Sequence, residues 1–456
     1  MTRKQIPTKE VIDMDMNQIR SLIEAKRIAE LKGVLLEQPV QDIAEMLDEL
    51  DAKSALLAFR LLPKDAAVDV FAYLDSETQV AISKLASENE LKEIVDALFF
   101  DDMIDFLEEM PANVVKRILL HTSESRRALI NQFLNYPDDS VGSIMTIEFV
   151  DLRKEFTVEQ ALAKIRRIAL EKETIYTCYV MDNERHLEGI VSLKDLVISH
   201  PETKIEEIME RDIVSVTTAD KSEAAAALMQ KYNLLALPVT DHENRLVGIV
   251  TVDDIIDVIE EAATEDIHKM ATVGELDTNI LDASAAQLLK SRLPWLLILV
   301  FVNILSGAGM AYYEQTIQSV VALVFFLPLL IDSAGNAGAQ SSALIIRSMA
   351  VGDVHLGDWW RLLWKELTVA VPIGIVLGAA SYLVGIVRGG LGVALVVAVS
   401  MCVIVLGGSL IGLSLPFLLR RLNLDPATAS GPLVTSICDI MGVLIYFSIA
   451  SWYFGL

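Results

Sequence analysis

Two carboxylates of this sequence stand where charge is costly. Asp439 is the one charged residue of 426–456, with 13 uncharged residues of that stretch before it and 17 after it. Asp332 lies in PLLIDSAGNAGAQSS, where small and helix-breaking residues would let backbones approach closely. A charge at membrane depth costs ~2.5 kcal/mol or far more, so such residues usually face a pathway. The alternatives are a protonated carboxyl bonded to a neighbouring helix for Asp439, and small-residue packing for Asp332. A twofold dimer would bring two copies of Asp439 to its axis, enough to match one divalent charge. Without an ion those copies would repel.

A second acidic set belongs to a water-soluble segment. Asp254, Asp257, Glu261 and Glu265 are spaced 3, 4 and 4 and so share one helical face. Like charges at that spacing destabilise a helix by a few tenths of a kcal/mol per pair, which favours a bound cation. Asp101, Asp102, Asp105, Glu108 and Glu109 form a similar cluster further towards the N-terminus. A solvated face is the plain alternative for both.

The elements that must position these groups divide by charge. Residues 293–456 hold six basic and seven acidic side chains out of the chain's 38 and 63, which leaves a net of −24 on residues 1–292. So acidic a soluble part argues against a nucleic-acid partner, whose phosphates want a basic face, and it favours cations. Cys178, Cys402 and Cys438 form no metal-spaced pair or disulfide framework, and the six histidines are scattered. The segment MTRKQIPTKEVIDMDM has no apolar run, so no signal peptide is expected. No nucleophile–base arrangement or phosphate loop supports a membrane-anchored enzyme.

Residues 293–313 carry no charge, a length that at about 1.5 Å per residue matches a ~30 Å bilayer core. Residues 367–387 and 389–419 are equally free of charge, and 315–346 hold Asp332 alone. Five spans are expected, over 292–313, 317–346, 364–387, 392–419 and 428–453. Arg347, Arg361, Lys365, Arg420 and Arg421 follow the second and fourth spans, which places those loops in the cytosol. The N-terminal region is then cytosolic and the C-terminus outside. Trp359, Trp360 and Trp364 fit an interfacial belt at the start of the third span.

Within the soluble part, IAEMLDEL, ALLAFRLLP, VDVFAYL, LKEIVDALF and VVKRILL place apolar residues at three- and four-residue spacing. They predict short helices over 18–135 with stops at Pro39, Pro63 and Pro111, paired into an α-superhelix. Residues 143–262 are duplicated. SIMT is echoed by EIME, and YVMDNERHLEGIVSLKDLV by PVTDHENRLVGIVTVDDII at an offset of 59 residues. Each copy reads strand, Asp-rich turn, strand, then a helix capped by Ser192 or Thr251. This resembles a tandem pair of CBS domains, small α/β modules that often bind adenine nucleotides. That resemblance implies weak ATP binding through the Ser/Thr-x-x-Asp pattern, at Asp195 above all and at Thr251 and Asp254 second. The sequence after the second copy continues as a long helix towards the first span.

The whole chain closely resembles the MgtE family of bacterial Mg²⁺ channels, related in the pore domain to animal carriers. PLLIDSAGNAGAQSSALIIR and DPATASGPLVTSICDIMGVLIYFSIA carry the likeness in the membrane part. Ala334 stands where the family often has Gly. The resulting expectation is a multi-domain protein. It has an all-α superhelical N-domain over 1–138, an α/β tandem CBS pair over 139–262 (139–200 and 205–262), a connecting plug helix with linker over 253–285, and a five-helix transmembrane domain over 290–456. The resemblance implies a homodimer in the cell membrane, with Asp439 as the main Mg²⁺ site of a pore between subunits and Asp332 and Asn336 beside it. Mg²⁺ is hard and gives up its waters reluctantly, so carboxylates can hold the hydrated ion. The resemblance also implies that Mg²⁺ closes its own channel by binding sensor carboxylates at Asp69, Asp101, Asp105, Glu223, Asp254, Asp257, Glu265 and Asp266, with Glu261 sharing their stripe. Lys221 and Asn233 stand where relatives can carry acids. The competing expectation is a secondary transporter of Mg²⁺, Co²⁺ or Mn²⁺ coupled to Na⁺ or H⁺.

Overall fold

The computed structural model describes residues 9–274 and 283–456. Residues 1–8 of the expected N-domain and 275–282 of the expected linker lie outside the described residues. The chain divides between Ile259 and Glu260 into two compact units.

The first unit opens, among the described residues, with ten short helices from Lys9–Glu24 to Glu124–Phe133. Pro39, Pro63 and Pro111 sit immediately before helices and start them, because proline's missing N–H is not needed there. Ser87 and Glu90 close a reciprocal cap on the helix Glu88–Val95. The helix Phe100–Glu109 shows how the acidic residues are placed. It buries Phe100, Met103, Ile104, Phe106 and Leu107, with Phe106 edge-on to Phe71 at 5.1 Å and Phe100 edge-on to Phe133 at 4.6 Å. That apolar face orients the remaining positions, where the carboxylates stand.

The duplication folds as two three-stranded sheets of the same design. Val150–Leu152 runs parallel to Thr177–Met181, which pairs antiparallel with Leu187–Ser192. Val216–Thr217, Ala236–Thr240 and Leu246–Thr251 repeat that order. Even the register irregularity at Val180/Met181 recurs at Val239/Thr240. The copies also exchange edges. Thr146 from the first SIMT segment bridges Ile249 of the second sheet, and Glu210 of the echoing EIME bridges Ile190 of the first. Neither sheet can therefore be completed alone, and Phe149, Tyr179, Ala236, Leu246 and Ile249 form one shared apolar cluster. A larger core joins the N-terminal helices to the second copy through Val216, Ala225, Val250 and Ile255.

Among the described residues of the second unit, four helices are long and apolar enough to cross a membrane by length and composition. Ala285–Tyr312 and Gly431–Phe454 correspond to the first and fifth expected spans. The second starts with a tight turn at Val321–Phe326 and continues as Leu327–Ala350. The third and fourth expected spans both lie within Trp359–Arg421, as two helices that meet at Gly390, whose φ is 75° and ψ 177°. Glycine alone adopts that angle pair readily, so the chain turns there and the two helices pack on each other, Gly374 against Cys402 and Gly385 against Ala394. The small residues around Asp332 meet close partners as expected. A Cβ on Gly412 would stand 2.0 Å from the Gly338 carbonyl oxygen, and one on Gly408 would stand 2.4 Å from that of Ala334. The packing of these helices depends on that backbone proximity.

Candidate functional site

The structure gathers soluble carboxylates that are far apart in sequence. Asp101 is only 8% exposed; burial, with Asp254, Glu173 and Asp102 nearby, pushes its carboxyl well above the usual range. Burial, then Asp253, Glu148 and Asp69, pushes Asp102 up to about 6. Asp105 still meets solvent although protein atoms crowd it, and burial with Asp254, Glu108, Asp102 and Asp257 raises it to about 7. Burial outweighs the hydrogen bond from Thr251 and raises Asp254 to about 6. Glu173 is raised to about 7 by burial and then by Asp102, Asp253, Asp254 and Glu148, and its buried Oε2 has no hydrogen-bond partner. Every leading neighbouring charge on these five groups is another carboxylate. Such an arrangement disfavours its own full ionisation and favours a cation.

Among the expected sensor residues, Asp69, Asp101, Asp105, Asp254 and Asp257 thus come together. Glu223 is exposed on the helix Ser222–Tyr232 and is not among the leading charges on the cluster. Glu261 is exposed on the helix Val252–Met270, and Asp266 is half-buried on it. Glu265 meets a cation of the chain itself, forming an ion pair with Lys269. The Lys269 ammonium also donates to Asp425 Oδ2 at 2.7 Å. Partial burial opposes its charge, but these two bonds outweigh burial and hold Lys269 above its usual pKa.

Sequence spacing missed Glu148, Glu173 and Asp253. Glu148 Oε2 accepts from the Phe100 N–H at 3.0 Å and from the Thr146 hydroxyl at 2.8 Å, tying the acidic helix to the first CBS segment. The links of Glu148 and Glu173 to the helix Phe100–Glu109 are long-range, so no helical period announces them. Among the described residues, no three His, Cys, Asp or Glu side chains already form a metal-holding group.

In the second unit, Asp439 lies within electrostatic reach of Asp332, and its buried Oδ1 has no hydrogen-bond partner. Asn336 donates to Asp332 Oδ2 at 3.1 Å. Asp332, Asn336 and Gln340 are all exposed at four-residue spacing along Leu327–Ala350, forming one polar row on that helix. Ser342 donates to the Ala429 carbonyl at 2.8 Å, and Ser341 to Glu366 at 2.6 Å. These bonds fix the row relative to the third span and to the segment before the fifth.

The two Ser/Thr-x-x-Asp motifs have the same geometry. The Ser192 hydroxyl donates to Asp195 Oδ2 at 2.5 Å, and Thr251 to Asp254 Oδ2 at 2.5 Å. Their surroundings differ, because Asp254 belongs to the acidic cluster, which would repel a triphosphate.

Three family models match consecutive parts of the chain. An MgtE intracellular N domain matches residues 38–139, CBS domains match 141–199 and 205–261, and a divalent cation transporter model matches 327–449. The chain is 40% identical to the magnesium transporter MgtE of Thermus thermophilus over 92% of its own length and 94% of the relative's. It is 33% identical to that of Bacillus subtilis, over 94% and 95%. Among solved structures, the cytosolic domain of the Mg²⁺ channel MgtE in complex with ATP aligns with TM-score 0.51 and 36% identity, covering 53% of this chain and 99% of that one. The soluble part of a magnesium transporter aligns with TM-score 0.52 and 29% identity, over 55% and 99%. Matched end to end by relatives of this one kind, the chain belongs to the MgtE family of divalent cation transporters.

Proposed function

We propose that the protein is a homodimeric Mg²⁺ channel of the cell membrane that admits Mg²⁺ and is closed by Mg²⁺ on its cytosolic side. The observation that carries the pore reading is the Asp439 carboxylate, held in a spanning helix with one oxygen unpartnered and Asp332 nearby. With one oxygen out of water and unpaired, such a group is costly unless a cation visits it. The exposed row Asp332, Asn336 and Gln340 supports a second subunit, because lipid is a poor neighbour for it and a water-filled dimer axis is a good one. The hydrated ion passes along that row and rests at the paired Asp439 carboxylates. The N-terminal domains face the cytosol and the C-terminus faces outward.

Closure follows from the soluble cluster. At low Mg²⁺ its carboxylates repel and the faces that carry them separate. At high Mg²⁺, ions bridge Asp69, Asp101, Asp105, Asp254 and Asp257, with Glu148, Glu173 and Asp253 adding field. Glu223, Glu261 and Asp266 add further carboxylates, while Glu265, the remaining expected sensor group, is already met by Lys269. The ion must bind the compact state better than the separated one, and a swing from 1:99 to 99:1 needs ~5.5 kcal/mol in all. ATP binds weakly at Asp195, which is not among the leading charges of the acidic cluster; Thr251 and Asp254 are poorer for the repulsion already described. Mg²⁺-dependent growth of a strain lacking other Mg²⁺ systems tests the reading. Rescue by the wild type and failure by well-expressed Asp439→Ala is the expected result, and full rescue by Asp439→Ala removes the pore assignment.

A further inference from the structure

The end of the helix Val252–Met270 is fastened by two contacts of different physical kind. Lys269 bridges Glu265, one turn back, and Asp425, 156 residues further along the chain. Its neighbour Met270 packs on the apolar cluster of Ile346, Ala427 and Ala429. Asp425 is itself held, because its Oδ1 accepts from the Ala427 N–H at 2.8 Å. Ala429 is tied to Ser342, and Ser430 caps the helix Gly431–Phe454 that carries Asp439. An unbroken series of bonds thus runs from Lys269 to the first turn of that helix.

An ammonium between two carboxylates supplies the bridging that the soluble cluster lacks among its leading charges. Being part of the chain, it stays when Mg²⁺ leaves. We infer that Lys269 is a metal-independent latch, joining the connecting helix to the segment Asp425–Ser430 so that movement of that helix reaches the Asp439 helix whether Mg²⁺ is high or low. This rests on the gating reading above and adds its mechanical link. Without the ammonium, Glu265 and Asp425 would face each other as like charges. The helix end would be left with the Met270 packing alone, and compaction of the sensor would reach the pore only weakly.

The test uses the full-length protein in proteoliposomes, with Lys269→Met, which keeps bulk without charge, and Lys269→Arg, which keeps charge. For Lys269→Met, the Mg²⁺ concentration that halves flux should rise about tenfold or more, a typical coupling energy lost, while Mg²⁺ still protects residues 9–259 from protease at the wild-type concentration. Lys269→Arg should behave as wild type. Inhibition of Lys269→Met at the wild-type concentration overturns the latch, as does inhibition at a lower one, which would mean that Mg²⁺ itself takes the vacated place. A second readout separates the latch from the gating reading. Spin labels at the exposed positions 267 and 424 (Ile267→Cys with Leu424→Cys, native cysteines replaced) should keep one distance with and without Mg²⁺. Lys269→Met should broaden it. A distance that follows Mg²⁺ in the unmutated latch refutes the inference even if wild-type flux proves insensitive to Mg²⁺.

Discussion

Glu173→Gln is the sharpest test of repulsion as the opening force. Glu173 is half-buried, has an unpartnered carboxylate oxygen, and is raised from 4.5 to about 7 by burial and by four other carboxylates. At about 1.4 kcal/mol per pH unit, that corresponds to roughly 3 kcal/mol against the charged form in the compact state at neutral pH. Water reaching the partly exposed group trims this to ~2 kcal/mol. Removing the charge should favour the compact state by a factor of about 30. Spread over two or three cooperating ions, this lowers the Mg²⁺ midpoint for compaction roughly three- to fivefold. Limited proteolysis of the full-length protein across a Mg²⁺ series at pH 7.5 reads that midpoint, with the exposed neighbour Glu171→Gln as a control for net charge. A midpoint that rises would show Glu173 to be a ligand that the ion needs. An unchanged midpoint would show that its charge does not oppose compaction, and the reasoning would fail.

Three further outcomes follow from the same geometry. Asp102, Asp105, Glu173 and Asp254 have pKa values of about 6 to 7 when packed and about 4 when separated; the penalty on compaction is therefore full above pH ~7 and fades as pH falls towards 4. Without Mg²⁺, lowering pH from 8 to 6 should protect the soluble part from protease, and greater sensitivity at pH 6 would contradict the assignment. Asp195→Ala should weaken ATP binding to the full-length protein by about tenfold or more, a lost charge-assisted bond, whereas Asp254→Ala should not; calorimetry with the opposite ranking would reverse the two sites. Gly412→Ala places a methyl against the Gly338 backbone and should cost ~1–3 kcal/mol by overpacking, seen as a lower unfolding temperature in detergent; unchanged melting would mean that the helices do not approach as described.

The legible part of this protein was whatever repeats or excludes charge. Uncharged runs marked the membrane helices, and the offset of GIVS and GIVT marked the sheets, down to a shared irregularity. The 3,4,4 spacing groups Asp254 and Asp257, and both act on the carboxylates of Phe100–Glu109. The same spacing could not tell that Glu265 is met by Lys269, because Asp425 comes from a distant part of the chain. Glu148 and Glu173 were invisible for a similar reason: each reaches the helix Phe100–Glu109 through packing across domains, with no local pattern.

The central claim is that Mg²⁺ passes Asp439 under control of the cytosolic carboxylates. Electrical recording from purified protein in a planar bilayer, with Mg²⁺ as the permeant cation, tests it most directly. Wild-type protein should give unitary Mg²⁺ currents that vanish as Mg²⁺ on the cytosolic face rises through the millimolar range, and Asp439→Asn, folded and dimeric, should give none. Unitary currents from Asp439→Asn equal to those of the wild type would contradict the account, and transport without unitary currents in the wild type would make the protein a carrier.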